Sequence, residues 1–441
     1  MNLPEALAWL EGHVNLEAIM RGRKEAPTLD RIRELTGLMG DPHRAYPVVH
    51  ITGTNGKGST ARMVTSLLMA RGLSVGTYTS PDLQRVNERL AWNGTPIGDE
   101  DLADLLSALA DLEDLMTAAP HRFDLLTAAA FRWFADLPVD AAVLEVGLGG
   151  LWDATNVADG AVAVVTNVEL DHQEILGPTR REIATEKAGI IKPGSTLVLG
   201  ETDADLVPIF LEAGAAEVWR RGTEPSGGGD LGWSNGRLAH GGRVVDLRTP
   251  GATYPDVHIP LHGSHQVDNA AVALAAVEAF FGAPMPAPLV TEAFASVTNP
   301  GRLEVIDRHP LLILDGAHNP AGARAARAAL DEEFSGVASR VLVVGLLQGR
   351  DPEEMLEAIG VDRARLVIAT RPPSPRAIPP DQVAAAARAM GVEAVAVEGV
   401  ADAVRRGVEG ADPADLVLVT GSLYVVGAAR AALVGDLETH H

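Results

Sequence analysis

Continuous apolar runs of strand length recur along the chain, each closing on Gly, Thr or Asn and each followed by a helical pattern. "YPVVHITG" runs into a glycine-rich turn and then "ARMVTSLLMARG", and "DAAVLEVGLGG", "GAVAVVTNVEL" and "GSTLVLGE" follow. Such runs predict βα units that build a mostly parallel sheet with both faces covered. Around residues 220–245 the pattern changes to "RRGTEPSGGGDLGWSNGRLAHGGRVVDL", rich in Gly and Ser. Turns and hairpins are expected there, in a small β-rich patch near residues 215–260. "HGSHQVDNAAVALAAVEAFFG" returns to a helical period, and "SVTNPGRLEV" interrupts it. A second βα series then begins with "PLLILDGAHN", "SRVLVVGLL", "ARLVIATRP" and "ADLVLVTGS". The expectation is two α/β domains, residues 1–297 and 298–441, with no solenoid repeat.

Composition narrows the function classes. The chain has 441 residues, enough for about two or three domains. Only 4% of residues are aromatic, so the core must be built mainly from Leu, Val, Ile and Ala. A net charge of −23 repels nucleic-acid phosphates and argues against a nucleic-acid partner; an anion can bind only where local positive charge overcomes that field. There is no cysteine, which excludes disulfides and thiol catalysis and fits a reducing cytoplasm. "MNLPEALAWLEGHV" lacks the basic and apolar regions of a signal peptide, and no apolar run approaches the ~20 residues that span a bilayer. A cytoplasmic protein without a membrane partner is expected; the terminal "LETHH" carries no weight. The chain has four lysines, Lys24, Lys57, Lys187 and Lys192, against 32 arginines. A retained lysine therefore needs a reason.

"HITGTNGKGST" (50–60) lies between an expected strand and an expected helix. Gly53, Gly56 and Gly58 let the backbone curl so that its N–H groups face an anion, with the helix dipole behind them. Lys57 can reach phosphate oxygens, and Ser59 or Thr60 can bind phosphate or Mg²⁺. The strict spacing G-x-x-x-x-G-K-[ST] is not met, since two residues separate Gly53 from Gly56 and Gly58 follows the lysine. A compact ammonium suits a loop wrapped around phosphate better than a planar guanidinium. The fold class expected is α/β: an N-terminal P-loop ATPase domain and a smaller, Rossmann-like C-terminal α/β domain.

Glu145, Asp171 and His172 fall at expected strand ends, where open α/β sheets collect ligands. Beside a phosphate site they suggest Mg²⁺, although imidazole is an unusual ligand for so hard an ion. Lys187 follows in "TEKAGI", on a helix expected to end near Gly189. Spacing alone makes it an ordinary partner of Glu186 or Glu182. A neutral amine, however, can add CO₂ and become an anionic carbamate, which arginine cannot do.

The segments "HITGTNGKGST", "TSPDLQRVNERL", "EVGLGGLWDATN", "LDHQEILG", "EKAGIIKPG", "HQVDNAAVAL", "PGRLEVI", "ILDGAHNP" and "GSLYVVGAAR" stand in order from about residue 30 to 430. Together they resemble the folylpolyglutamate synthase/dihydrofolate synthase family of the Mur ligase superfamily. The resemblance implies an ATP-dependent acid–amino-acid ligase. ATP phosphorylates a carboxylate, and the amine of L-glutamate attacks the acyl phosphate. The acceptor implied is dihydropteroate or the γ-carboxylate of a reduced folate. Asn55, Gly56, Lys57, Gly58, Ser59, Thr60, Asn269, Arg302 and Asp315 would contact ATP. Two Mg²⁺ ions would be held by Ser59, Ser80, Glu145, His172 and a carbamylated Lys187. Lys57, Lys187, His172 and Glu145 would carry the catalysis. Asp82, His121, Trp152, Asp153, Ala154, His318, Ser422 and Tyr424 would bind the pterin or folate and the glutamate. The resemblance implies a monomer.

The sequence departs from the family pattern where the acceptor would bind. Asp82 replaces the usual His, Leu151 and Trp152 replace an Arg and its neighbour, Glu169 replaces a Gly, and His121 stands where a small hydroxyl residue is expected. Gly349–Asp351 reads "GRD" rather than "DKD". A ligase of the same mechanism acting on another carboxylate is the alternative. A nucleotide-binding switch without ligase activity is the alternative from another class.

Overall fold

The computed structural model describes residues 1–15, 28–223 and 228–435; Lys24 and the terminal "LETHH" lie outside them. Strands in order Thr95–Pro96, Leu90–Trp92, Val75–Tyr78, Ala141–Glu145, Val48–Thr52, Gly160–Val165, Thr196–Leu199 and Glu217–Arg220 form the first sheet. From Val75–Tyr78 to Glu217–Arg220 every pairing is parallel, and the two short strands at the other edge are antiparallel. Val48–Thr52 and Ala141–Glu145 are buried throughout. That is why they read as unbroken apolar runs rather than as alternation. Helices Lys57–Ala70 and Ser264–Phe281 cover one face, and Arg122–Asp136 packs in the cluster with Leu125, Phe131 and Phe134 on the other.

The β-rich patch is a three-stranded antiparallel sheet of Gly232–Ala239, Gly242–Arg248 and Thr253–Ile259. The break between the two α/β units falls between the helix Ala287–Ala295 and the strand Glu304–Arg308. The second sheet runs Glu304–Arg308, Leu311–Asp315, Leu416–Thr420, Arg340–Val344, Ala364–Thr370 and Ala394–Val397. It is parallel except at Glu304–Arg308, which pairs antiparallel with Leu311–Asp315. Two of its strands, Glu304–Arg308 and Ala394–Val397, were not legible as apolar runs. Both are half exposed, so polar residues interrupt them. No helix among the described residues is long and apolar enough to cross a membrane.

Candidate active site at the domain boundary

The strand Val48–Thr52 delivers the chain into the loop Gly53–Gly56, and the helix Lys57–Ala70 starts at once. Gly56 has φ 83°, and a Cβ there would lie 2.5 Å from Asn269 Oδ1. Only glycine fits that turn against that neighbour. Asn55 N–H donates to Asn167 Oδ1 at 3.0 Å, and Thr166 Oγ1 donates to the Asn55 carbonyl at 2.7 Å. The next strand thus holds the loop open. Lys57 folds back, its Nζ donating to Gly53 O at 3.1 Å and Thr54 O at 3.3 Å.

Lys187 reaches the same carbonyl from the other side. Thr179 and Glu182 cap the helix Arg180–Ala188 reciprocally, placing Lys187 in its last turn. Its Nζ donates to Gly53 O at 2.7 Å, and the side chain is buried. Burial, with Lys57 nearby as the next cause, pushes the amine down to about 7. Leu151 N–H donates to Glu186 O at 2.9 Å, and Asn156 Nδ2 reaches both Leu151 O and Gly189 O. The "GLGGLWDATN" turn is therefore stitched to the helix end that carries Lys187. Lys192 donates to Asn156 O at 3.2 Å and braces the same turn.

Glu145 is buried at its strand end, and its Oε2 accepts Ser80 N–H at 3.1 Å. Burial raises its pKa, opposed chiefly by Lys57. His172 sits at φ 51° in the left-handed region, a strained conformation of the kind that persists at functional sites. Burial pushes its imidazole down to about 4, and its Nδ1 is buried without a hydrogen-bond partner. A neutral imidazole with an orphaned nitrogen, a buried carboxylate and a neighbouring serine are donors that a cation would satisfy. Among the described residues no three His, Asp or Glu side chains form a closed cage. The Glu145 carboxylate and the Ser59 and Ser80 hydroxyls are oxygen donors of the kind Mg²⁺ takes beside waters and substrate phosphate oxygens, and on that ground the residues fit the ion.

The second domain closes the cleft. Arg302 and Asp315 line it. Asp315 accepts Leu303 N–H and Ala317 N–H, each at 3.0 Å, strapping the Arg302 turn to the strand end. His318 also lines the cleft, its Nδ1 3.2 Å from Gly316 O. The cleft has a volume of about 350 Å³, and Asn55, Gly56, Lys57, Gly58, Ser59, Ser80, Glu145, His172, Lys187 and Asn269 all line it. Sequence reading missed three residues that hold this junction, Asn299, Asn319 and Arg350, and singled out Asp171 only as a strand-end carboxylate near the metal site. Asn299 Nδ2 donates to Ser59 Oγ at 2.7 Å. Asp171 takes Asn319 Nδ2 at 2.8 Å and the Arg350 guanidinium. Asn319 was detectable, since Asn before Pro is a helix N-cap signature; the partnerships of Asn299 and Arg350 join distant segments and leave no local signal.

The expected acceptor-side residues fare differently. Asp82 pairs with Arg89, and Trp152 hydrogen-bonds to Glu186. Asp153 accepts Leu148 N–H and Thr155 N–H, both at 3.0 Å, and Ala154 lies in the core. His121 begins the helix Arg122–Asp136, its N–H donating to Asp124. Ser422 caps the helix Leu423–Val434, accepting Val425 N–H at 3.3 Å. None of these residues, nor Tyr424, lines the cleft, although Leu423 does. Thr60 does not line it either; it is fully buried and its Oγ1 has no partner. Asp153, His121 and Ser422 each make the turn or helix-cap contact just given.

Comparison with known proteins identifies the family. The Mur ligase middle domain matches residues 122–277, and the Mur ligase glutamate ligase domain matches residues 301–423. The dihydrofolate synthase/folylpolyglutamate synthase of Mycobacterium tuberculosis is 39% identical, covering 92% of this chain and 89% of that protein. The folylpolyglutamate synthase of Lacticaseibacillus casei is 32% identical over 99% of both chains. A solved M. tuberculosis folylpolyglutamate synthase complexed with ADP and AMPPCP superposes with TM-score 0.89 at 37% identity, covering 99% of each chain. With two Mur ligase domains in order and a nucleotide-type loop facing the second of them, the chain belongs to the folylpolyglutamate synthase/dihydrofolate synthase family of ATP-dependent Mur-type ligases.

Proposed function

We propose that this chain joins L-glutamate to dihydropteroate, to the γ-carboxylate of a reduced folate, or to both, through an acyl phosphate made with ATP. One observation carries the reading: the Gly53–Lys57 loop of the first domain and the Asp315–Asn319 turn of the second converge on a single cleft. Moving a phosphoryl group between two anions asks for positive charge and in-line positioning more than for covalent chemistry. The loop amides and Lys57 would hold the ATP phosphates; Lys57 must first leave the Gly53 and Thr54 carbonyls. Arg302 faces the same space and would balance charge on the transferred group. Asn269, packed on Gly56, keeps the loop in its binding shape. Ser59, Ser80, Glu145 and His172 would hold Mg²⁺, with Lys187 contributing as a carbamate, and the bound ions would neutralise phosphate charge. Lys187 suits that role because its amine can be neutral near pH 7, and a neutral amine adds CO₂ with loss of one proton. His318 stands on the second-domain side, where the incoming glutamate would meet the acyl phosphate. The two domains together would keep that intermediate from water. A monomer is sufficient for this reading, since both domains that line the cleft come from one chain.

A different carboxylate acceptor is the second reading. It is favoured by Leu151, 54% exposed where the family places an arginine. The test is ADP release by the protein with ATP and glutamate, with dihydropteroate or tetrahydrofolate added in turn. Stimulation by either supports the folate reading. Stimulation by neither, with turnover on another pterin or peptide-like carboxylate, replaces it with the second.

A further inference from the structure

The helix Pro320–Glu333 belongs to the second domain and is fastened to the first at both ends. At its start Asn319 caps it, accepting Gly322 N–H at 2.8 Å. The same side chain donates to Asp171 Oδ2 at 2.8 Å and to Asn55 Oδ1 at 3.0 Å, in the phosphate loop. At its end Glu333, whose side chain is little exposed, gathers three donors from the first domain. Arg243 Nε lies at 2.9 Å, His262 Nδ1 at 2.7 Å and Gly263 N at 2.8 Å. Arg243 also pairs with Glu332. The side chains of Arg243 and Glu333 are only 5% and 4% exposed. The helix has 14 residues, so its two fastenings are about 20 Å apart. Between them Ala323, Ala326, Ala329 and Leu330 are buried in the second domain's core, which makes the helix rigid with that domain.

One fastening leaves a rigid body free to rotate about it; two fix its orientation. Burying an ion pair is a poor way to gain stability, because desolvation offsets most of the attraction. The pair does, however, hold one fixed geometry. We infer that the Arg243–Glu333 contact is a positioning device for the ligation. By fixing the far end of the helix, it sets where His318 and Asn319 stand against the phosphate loop. Neither Arg243 nor Glu333 reaches the reacting atoms, so both are positioning residues. The inference rests on the ligase reading given above.

The test uses the full chain and varies glutamate at saturating ATP and acceptor. In Arg243→Ala and the milder Glu333→Gln, kcat/KM for glutamate is expected to fall about tenfold or more. ADP affinity, measured by direct titration, should change less than about threefold, since the phosphate loop and Asn269 lie in the first domain and only Arg302 and Asp315 are carried by the second. Arg243→Lys, which keeps a charge on Glu333, should recover part of the loss. In an Asn319→Ala background, where the near fastening is reduced to the Arg350–Asp171 pair, Arg243→Ala should cost less than in the wild type. Unchanged glutamate kinetics in both variants, or equal losses in glutamate kinetics and ADP affinity, would overturn the inference. So would full multiplication of the two effects in the double variant. If the wild type shows no glutamate-dependent turnover with any acceptor, the ligase reading fails first and takes this inference with it.

Discussion

Lys187 places its amine 2.7 Å from the Gly53 carbonyl, which Lys57 also reaches at 3.1 Å. Two amines on one carbonyl in a buried site cannot both stay charged cheaply, and Lys187 is the one that burial and its neighbour shift down. A guanidinium would remain charged at any reachable pH, so Lys187→Arg should abolish turnover even if the protein folds. The sign of the pH effect follows from the shift. The folded pKa, about 7, lies below the ordinary 10.5, so between those values the unfolded chain binds the extra proton. Stability associated with this site is therefore lowest below about pH 7 and rises as pH climbs toward 10.5. Urea midpoints of the wild type and Lys187→Met, compared from neutral to alkaline pH, should diverge in favour of the wild type. A difference that stays flat would refute the shifted amine. At this scale the sequence showed only that lysine was rare. Its burial and its shared carbonyl depend on two segments more than a hundred residues apart.

The phosphate loop was legible as an element, because a buried strand, a run of glycines and a helix start are local features. The helix Arg180–Ala188 was legible at its end, Gly189, whereas its reciprocal cap by Thr179 and Glu182 came from the structure. Why Gly56 must be glycine was only partly legible. Its left-handed backbone could be guessed, but its contact with Asn269 comes from a helix two hundred residues later. Gly56→Ala adds strain of about 1–3 kcal/mol, roughly a 5- to 150-fold loss of nucleotide affinity as the loop gives way. An ADP titration checks this, and the thermal midpoint should move by only a few degrees. Retained affinity would mean that the loop tolerates a Cβ there. On the acceptor side motifs were legible in the sequence, and the structure gives the contacts their residues make. Asp153, His121 and Ser422 lie in recognisable motifs, yet each spends its hydrogen bonds on its own turn or helix cap.

The whole molecule is a pair of α/β units whose facing edges make the site. A surface of net charge −23 repels a nucleotide at long range, so binding depends on local positive groups in the cleft. Arg302 is supplied by the second domain, held by the strap between Leu303 and Asp315. Arg302→Ala should lower kcat by about two to three orders of magnitude, the usual loss for one preorganised charged donor. Turnover at saturating substrates measures it, and full activity would show that closure brings no catalytic charge. Sequence alone determined the two βα series, the phosphate loop and the membership that its ordered motifs announce. These rest on periodicity, glycine and capping, which act within a few residues. Tertiary structure alone decided which polar groups meet: Lys187 with Gly53, Asn299 with Ser59, Asp171 with Arg350, Glu333 with Arg243. A hydrogen bond forms wherever packing brings donor and acceptor together, and residues far apart in sequence carry no local mark of it.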